Sequence, residues 1–206
     1  MSGNSSIENR DYTLMIDKSS SMATSDDPDG KTRWQIAQES TLALAQKCEE
    51  IDPDGITVYV FSGAFKRYDN VTSGKVTKVY EENQPMGQTD LATVLQDAFD
   101  DYFKRKEAGT AKVNGETFLI ITDGEPTDRK AVINLIMDAA QKVDREDELG
   151  ISFIQVGTDK EATRFFKALD DDLEGVGAKF DIVDTVTVDD MNGMPLTDVL
   201  LNALID

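Results

Sequence analysis

The chain has no histidine, one cysteine and one tryptophan among its 206 residues. Without histidine there is no Ser-His or Cys-His nucleophile and no imidazole metal ligand. The lone Cys48 excludes a disulfide within the chain and any thiolate zinc site. A bound metal would have only oxygen ligands. Positive charge is scarce as well: 21 Lys and Arg stand against 40 Asp and Glu, a formal net charge of −19. Such a chain repels phosphate backbones and anionic bilayers, so neither nucleic acid nor a membrane is an expected partner. Cations and basic protein surfaces are favoured, although a high-salt environment selects the same acidity with no binding function attached. No run approaches the ~20 apolar residues that span a bilayer. Residues Met1 to Glu8 have neither the basic nor the apolar region of an export leader. The expected location is cytoplasmic.

What is present is an alternation of two periods. Residues 1–10 are polar and read as a disordered tail, followed by one domain over 11–206. Within it Tyr12–Ile16, Ile56–Phe61, Phe118–Ile121 and Ile151–Val156 are short apolar runs, with a weaker one at Phe180–Val183. Runs of this length, rich in β-branched and aromatic residues, suit strands buried on both faces. Between them, Leu91, Val94, Leu95, Ala98, Phe99, Tyr102 and Phe103 follow helical spacing, as do Val132, Leu135, Ile136, Ala139, Ala140 and Val143. Shorter stripes begin at Ala162 and at Leu196. Capping boxes at Thr32-x-x-Gln35 and Thr158-x-x-Glu161 mark two helix starts, the first opening a helix over about 33–49.

Strands alternating with helices predict an α/β, Rossmann-like doubly wound fold. The expected sheet is six-stranded and mostly parallel, with helices on both faces. Too few residues separate Phe61 from Val76–Tyr80 for a crossover helix, so that segment is expected as an antiparallel edge strand. In such sheets ligands sit outside the carboxyl ends of the strands. There the sequence places Asp17-Lys18-Ser19-Ser20-Ser21 after the first run and Thr122-Asp123-Gly124-Glu125-Pro126 after the third. A third loop, Gly87-Gln88-Thr89-Asp90, precedes the helix at Leu91. Two carboxylates and three hydroxyls make a hard oxygen set for a divalent cation. The competing reading is that these residues only cap helices and turns.

The pattern resembles the von Willebrand factor A domain with its metal-ion-dependent adhesion site, over about residues 11 to 206. That site combines a D-x-S-x-S loop, a Thr from a second loop and an Asp from a third. Here these fall at Asp17, Ser19 and Ser21, at Thr89, and at Asp123. The chain departs from the family at Ser20, where Gly is frequent, at Lys18 within the metal loop and at Gln88, where a second Gly is common. Its loop from Ala23 to Lys31 is also unusually acidic.

The resemblance implies that Ser19 and Ser21 bind the metal directly and that Thr89, Asp17 and Asp123 bind directly or through water. Mg²⁺ is the first choice, with Mn²⁺ and Ca²⁺ close behind. It further implies a protein-binding module, not an enzyme, in which a partner Asp or Glu completes the shell. Stand-alone members inside cells serve complexes with AAA+ ATPases, metal insertion or stress systems such as tellurite resistance.

Two other readings remain. One is a scaffold that binds through acidic helix faces, with Asp97, Asp100, Asp101 and Asp144–Glu148 as candidates and the metal purely structural. The other is an aspartyl phosphatase-like enzyme on Asp17, but Ser19 stands where a second Asp is wanted, leaving Glu125 or Lys18 as acid–base groups. Phosphate-loop and calcium-loop look-alikes around Asp27 to Thr32 lack their leading residues. A calcium loop starting at Asp170 would place Asp181, its twelfth residue, in an expected strand.

Overall fold

The computed structural model describes residues 9–187, apart from 27, 52, 53, 174 and 176. The stripe beginning at Leu196 and most of the expected tail lie outside the described residues. The elements, in order, are β1 (Asp11–Asp17), α1 (Arg33–Ile51), β2 (Ile56–Phe61), β3 (Phe65–Val71) and α2 (Ser73–Glu81). They continue with α3 (Leu91–Glu107), β4 (Glu116–Thr122), α4 (Arg129–Lys142), β5 (Leu149–Gln155), α5 (Lys160–Asp172) and β6 (Val183–Val186).

The strands form one six-stranded sheet in the order β3-β2-β1-β4-β5-β6. Every pairing is parallel except β2 with β3. Side chains alternate across each central strand. Met15, Tyr59, Phe61, Phe118, Ile120, Ile151 and Phe153 pack in the core under α3, α4 and α5. Leu14, Ile16, Val58, Val60, Leu119, Ile121 and Ile154 pack in the core under α1 and α2. Strands buried on both faces need apolar residues at every position, which is why they read as unbroken runs. Successive strands are added on one side of β1 up to β3 and on its other side from β4, so the gap between β1 and β4 is the switch point where crevices open in doubly wound sheets. Asp17 ends one of these strands and Asp123 follows the other. Among the described residues no helix is long and apolar enough to cross a membrane.

Three expectations shift. The antiparallel edge strand exists, but it is Phe65–Val71, and Val76–Tyr80 lies in α2. A three-residue connection, with the Ser62 N–H donating to Ala64 O (2.9 Å), turns the chain straight back from β2. The edge strand carries Lys66, Arg67, Asp69 and Asn70 because much of it faces water, so no apolar run announces it. Val76, Val79 and Tyr80 are i, i+3, i+4 neighbours buried on one helical face. Tyr80 packs on Trp34 at 4.6 Å between ring centres with the rings tilted by 49°, and its hydroxyl meets Thr41 Oγ1 at 2.8 Å.

The last strand starts at Val183, where the expected run ended. Arg10 is no part of a tail. Its guanidinium donates to Thr117 Oγ1 (2.6 Å), Asp147 O (2.7 Å) and Glu116 O (3.0 Å).

The helix caps divide. Thr32 and Gln35 form the reciprocal box, Thr32 N–H to Gln35 Oε1 at 2.9 Å and Gln35 N–H to Thr32 Oγ1 at 3.2 Å. At α5 the cap is Asp159, not Thr158: its carboxylate accepts from the N–H groups of Glu161 (2.8 Å) and Ala162 (3.1 Å). A carboxylate at a helix N-terminus also meets the positive end of the dipole, which a hydroxyl does not exploit.

Candidate metal centre

Three connections meet at the carboxyl ends of β1 and β4. The β1 connection leaves Asp17 and makes a 3₁₀ turn at Ser20–Ala23. The Lys18 N–H donates to Phe61 O (2.8 Å), continuing the ladder one step past the strand. The loop before α3 is drawn over it, with the Met86 N–H donating to Lys18 O (2.6 Å). Ser20, standing where the family often has Gly, serves as a clasp. Its N–H donates to Gly87 O (3.3 Å) and its Oγ accepts from the Gly87 N–H (3.1 Å). Gly87 itself is in the left-handed region at φ 89°, and a Cβ there would press on Ser62 Oγ at 3.3 Å. The β4 connection is tied in by Thr127, whose N–H donates to Thr89 O (3.0 Å).

These ties bring all five sequence-predicted residues together. Asp17 is fully buried, Asp123 and Ser19 nearly so, while Thr89 is half-buried and Ser21 exposed. Asp17 Oδ1 accepts from the Ser19 N–H (2.6 Å) and Asp17 Oδ2 from Thr122 Oγ1 (2.8 Å). Thr89 Oγ1 makes a long contact with the same Oδ2 (3.4 Å). Ser21 Oγ donates to Asp123 Oδ1 (2.7 Å), and Ser19 Oγ lies 3.1 Å from Ser21 Oγ.

Ser19 is the residue before the 3₁₀ turn, yet its side chain makes no capping bond. Asp90, not Thr89, caps α3 through the Thr93 N–H (3.2 Å). A purely capping role therefore does not account for Ser19 or Thr89.

Burial pushes the Asp17 carboxyl up to about 6, against the Ser19 and Thr122 hydrogen bonds that favour its anion, and the charge of Asp123 adds to the rise. Two buried carboxylates side by side want a cation. Among the described residues no group of three or more carboxylates, thiols or imidazoles is placed to hold one. The rim instead offers two carboxylates with three hydroxyls, oxygen donors throughout, a composition that fits Mg²⁺, Mn²⁺ or Ca²⁺ and no softer ion.

Two residues at this rim had no sequence signal. Thr122 is one, although it directly precedes Asp123. Arg33, the first residue of α1, is the other: its Nη1 donates to Asp123 Oδ2 at 2.8 Å.

The acidic helix faces are less free than composition implies. Asp97 accepts from Tyr59 Oη (2.8 Å), Asp101 pairs with Arg67 (3.0 Å) and Arg105 (2.8 Å), and Asp144 pairs with Lys106 (2.9 Å). Glu125 pairs with Arg129. Asp170 and Asp172 lie within α5, so no calcium loop starts there.

A family model described as von Willebrand factor type A domain matches residues 12–126. No curated protein matches the chain. Among solved structures, a mutant of the PilB minor pilin from Streptococcus sanguinis superposes with a TM-score of 0.64 at 13% identity, covering 97% of this chain and 62% of that one. At that identity the likeness is one of fold. The three N-terminal domains of the type V pili tip protein Mfa5 from Porphyromonas gingivalis give a TM-score of 0.39 at 16% identity, covering 56% of this chain and 20% of that one.

Proposed function

The chain belongs to the von Willebrand factor type A domain family, and from that membership we propose that it is a metal-dependent protein-binding module. The family supports an interaction role. The observation that carries the metal dependence is the convergence of buried Asp17 and Asp123 with the hydroxyls of Ser19, Ser21 and Thr89, from three loops, at the switch point of the sheet.

Those five residues would hold the cation, with Mg²⁺ favoured. A divalent ion there would supply positive charge at a solvent-facing rim, where an Asp or Glu of a partner can replace a bound water. The chain's own residues do the positioning. Thr122 and the Ser19 N–H orient Asp17, Ser21 orients Asp123, and the Ser20–Gly87 clasp keeps the Thr89 loop beside them. The partner class this reading suggests is a subunit of an intracellular complex, such as one built on an AAA+ ATPase or a stress system of the tellurite-resistance kind.

Calorimetric titration of metal-stripped protein with Mg²⁺, Mn²⁺ and Ca²⁺, beside Asp17→Ala, tests it. One saturable site that is lost in the variant supports the reading. Absence of saturable binding by the unmodified chain overturns it.

A further inference from the structure

The Arg33 guanidinium occupies a slot built from three directions. Asp123 Oδ2 accepts from Nη1 (2.8 Å), and Asp26, from the acidic β1–α1 loop, accepts from Nε (3.0 Å) and also pairs with Nη2. The third wall is Gly157, just past β5, at φ 80°. A Cβ there would fall 2.4 Å from Arg33 Cζ, so only glycine lets the guanidinium lie against that backbone. The Arg33 side chain is 14% exposed and that of Asp123 1%.

Arg33 also opens α1, where the helix dipole disfavours a cation, so helix stability does not explain its placement. Asp123 is thereby divided: Oδ1 faces Ser21, and Oδ2 is taken by a fixed positive charge.

Resting on the metal-site reading above, we propose that Arg33 is a resident counter-ion that competes for Asp123 and weakens the site's own hold on a divalent cation. Asp17, Asp123 and Asp26 bring −3 and Arg33 +1, so a 2+ ion brings the cluster to zero. Arg33 holds Asp123 Oδ2, an oxygen the ion would otherwise draw on, and its own charge repels the ion. Arg33 is a positioning residue here, not a ligand.

The test is titration of metal-stripped protein with Mg²⁺ and Mn²⁺ alone, followed by calorimetry and by the shift in melting temperature, for the unmodified chain, Asp17→Ala, Arg33→Gln, Arg33→Met and Arg33→Lys. Both neutral variants should bind at least ~10-fold more tightly, since a unit charge a few ångströms from the ion is gone. Their Mg²⁺-induced rise in melting temperature should exceed that of the unmodified chain, whereas Arg33→Lys should stay near it. Gln and Met differ in polarity, so agreement between them separates charge from shape. If the unmodified chain binds, Asp17→Ala does not, and the neutral variants bind no more tightly, Arg33 has no such role and the metal site stands. If none of the chains binds saturably, both readings fall.

Discussion

Thr122 Oγ1 stands 2.8 Å from Asp17 Oδ2, so the last residue of β4 is tied to the last residue of β1 across the switch point of the sheet. Both residues are fully buried, and no other side chain of the rim approaches that oxygen as closely. The bond keeps an ionised carboxylate tolerable in a place where burial raises its pKa to about 6. Thr122→Val keeps the shape and removes the donor. Urea unfolding of the metal-stripped variant at pH 7 should show a loss of about 1–3 kcal/mol, the cost of leaving a buried acceptor short of a partner. Mg²⁺ affinity should fall with it, because Asp17 is then oriented chiefly through Oδ1 by the Ser19 N–H.

Much of this rim is legible in sequence because its parts are local. Asp17, Ser19 and Ser21 lie in one short loop after an apolar run, and Asp123 follows another. Parallel strand order then brings those two ends together without further information. Arg33 was not legible. Its partner Asp123 is 90 positions away, and its third wall is a glycine, which leaves no chemical trace. The edge strand β3 was hidden for a different reason. A strand facing water carries polar residues at most positions, whereas Val76, Val79 and Tyr80 are apolar and close enough to pass for a strand. Only helical spacing, read against the buried face of α2, distinguishes them.

The α5 cap separates two neighbouring residues that sequence reading treats alike. Asp159→Ala removes the acceptor for two N–H groups and should cost about 1 kcal/mol. Thr158→Ala should stay within about 0.5 kcal/mol, as surface changes away from a cap do. Chemical denaturation of both variants checks the pair. A larger loss from Thr158→Ala would restore the cap to Thr158.

Acid sensitivity should arise far from the rim, at Glu148. This residue is 4% exposed. Its carboxylate accepts from Lys106 Nζ (2.7 Å), the Asp144 N–H (2.8 Å) and Tyr102 Oη (2.9 Å). Burial alone would raise its pKa, but the bonds from Lys106, Asp144 and Tyr102 together outweigh it and hold the carboxyl below its ordinary value of 4.5. A lowered folded pKa gives stability that is present above the unfolded value and lost as pH falls through the folded one. Glu148→Gln should therefore cost about 1–2 kcal/mol at pH 7. The difference should hold down to pH 5 and shrink below about 4.5, measured as urea midpoints across pH.

Two glycines should respond in opposite directions to the same added methyl group. Gly115 turns the chain into β4 at φ 81°, and a Cβ there would sit 1.7 Å from the carbonyl oxygen of Glu148. That oxygen belongs to the turn leading into β5, so neither side can yield without breaking the start of a central strand. Gly115→Ala should cost more than about 3 kcal/mol, combining backbone strain with a backbone clash. Gly74, inside α2, has nothing within 4 Å of an added Cβ and already has negative φ. Gly74→Ala should gain about 0.5 kcal/mol by removing freedom from the unfolded chain. Thermal melts of the two variants against the unmodified protein decide it, and a Gly115→Ala protein that melts where the unmodified one does would mean that the β4 turn is not built as described.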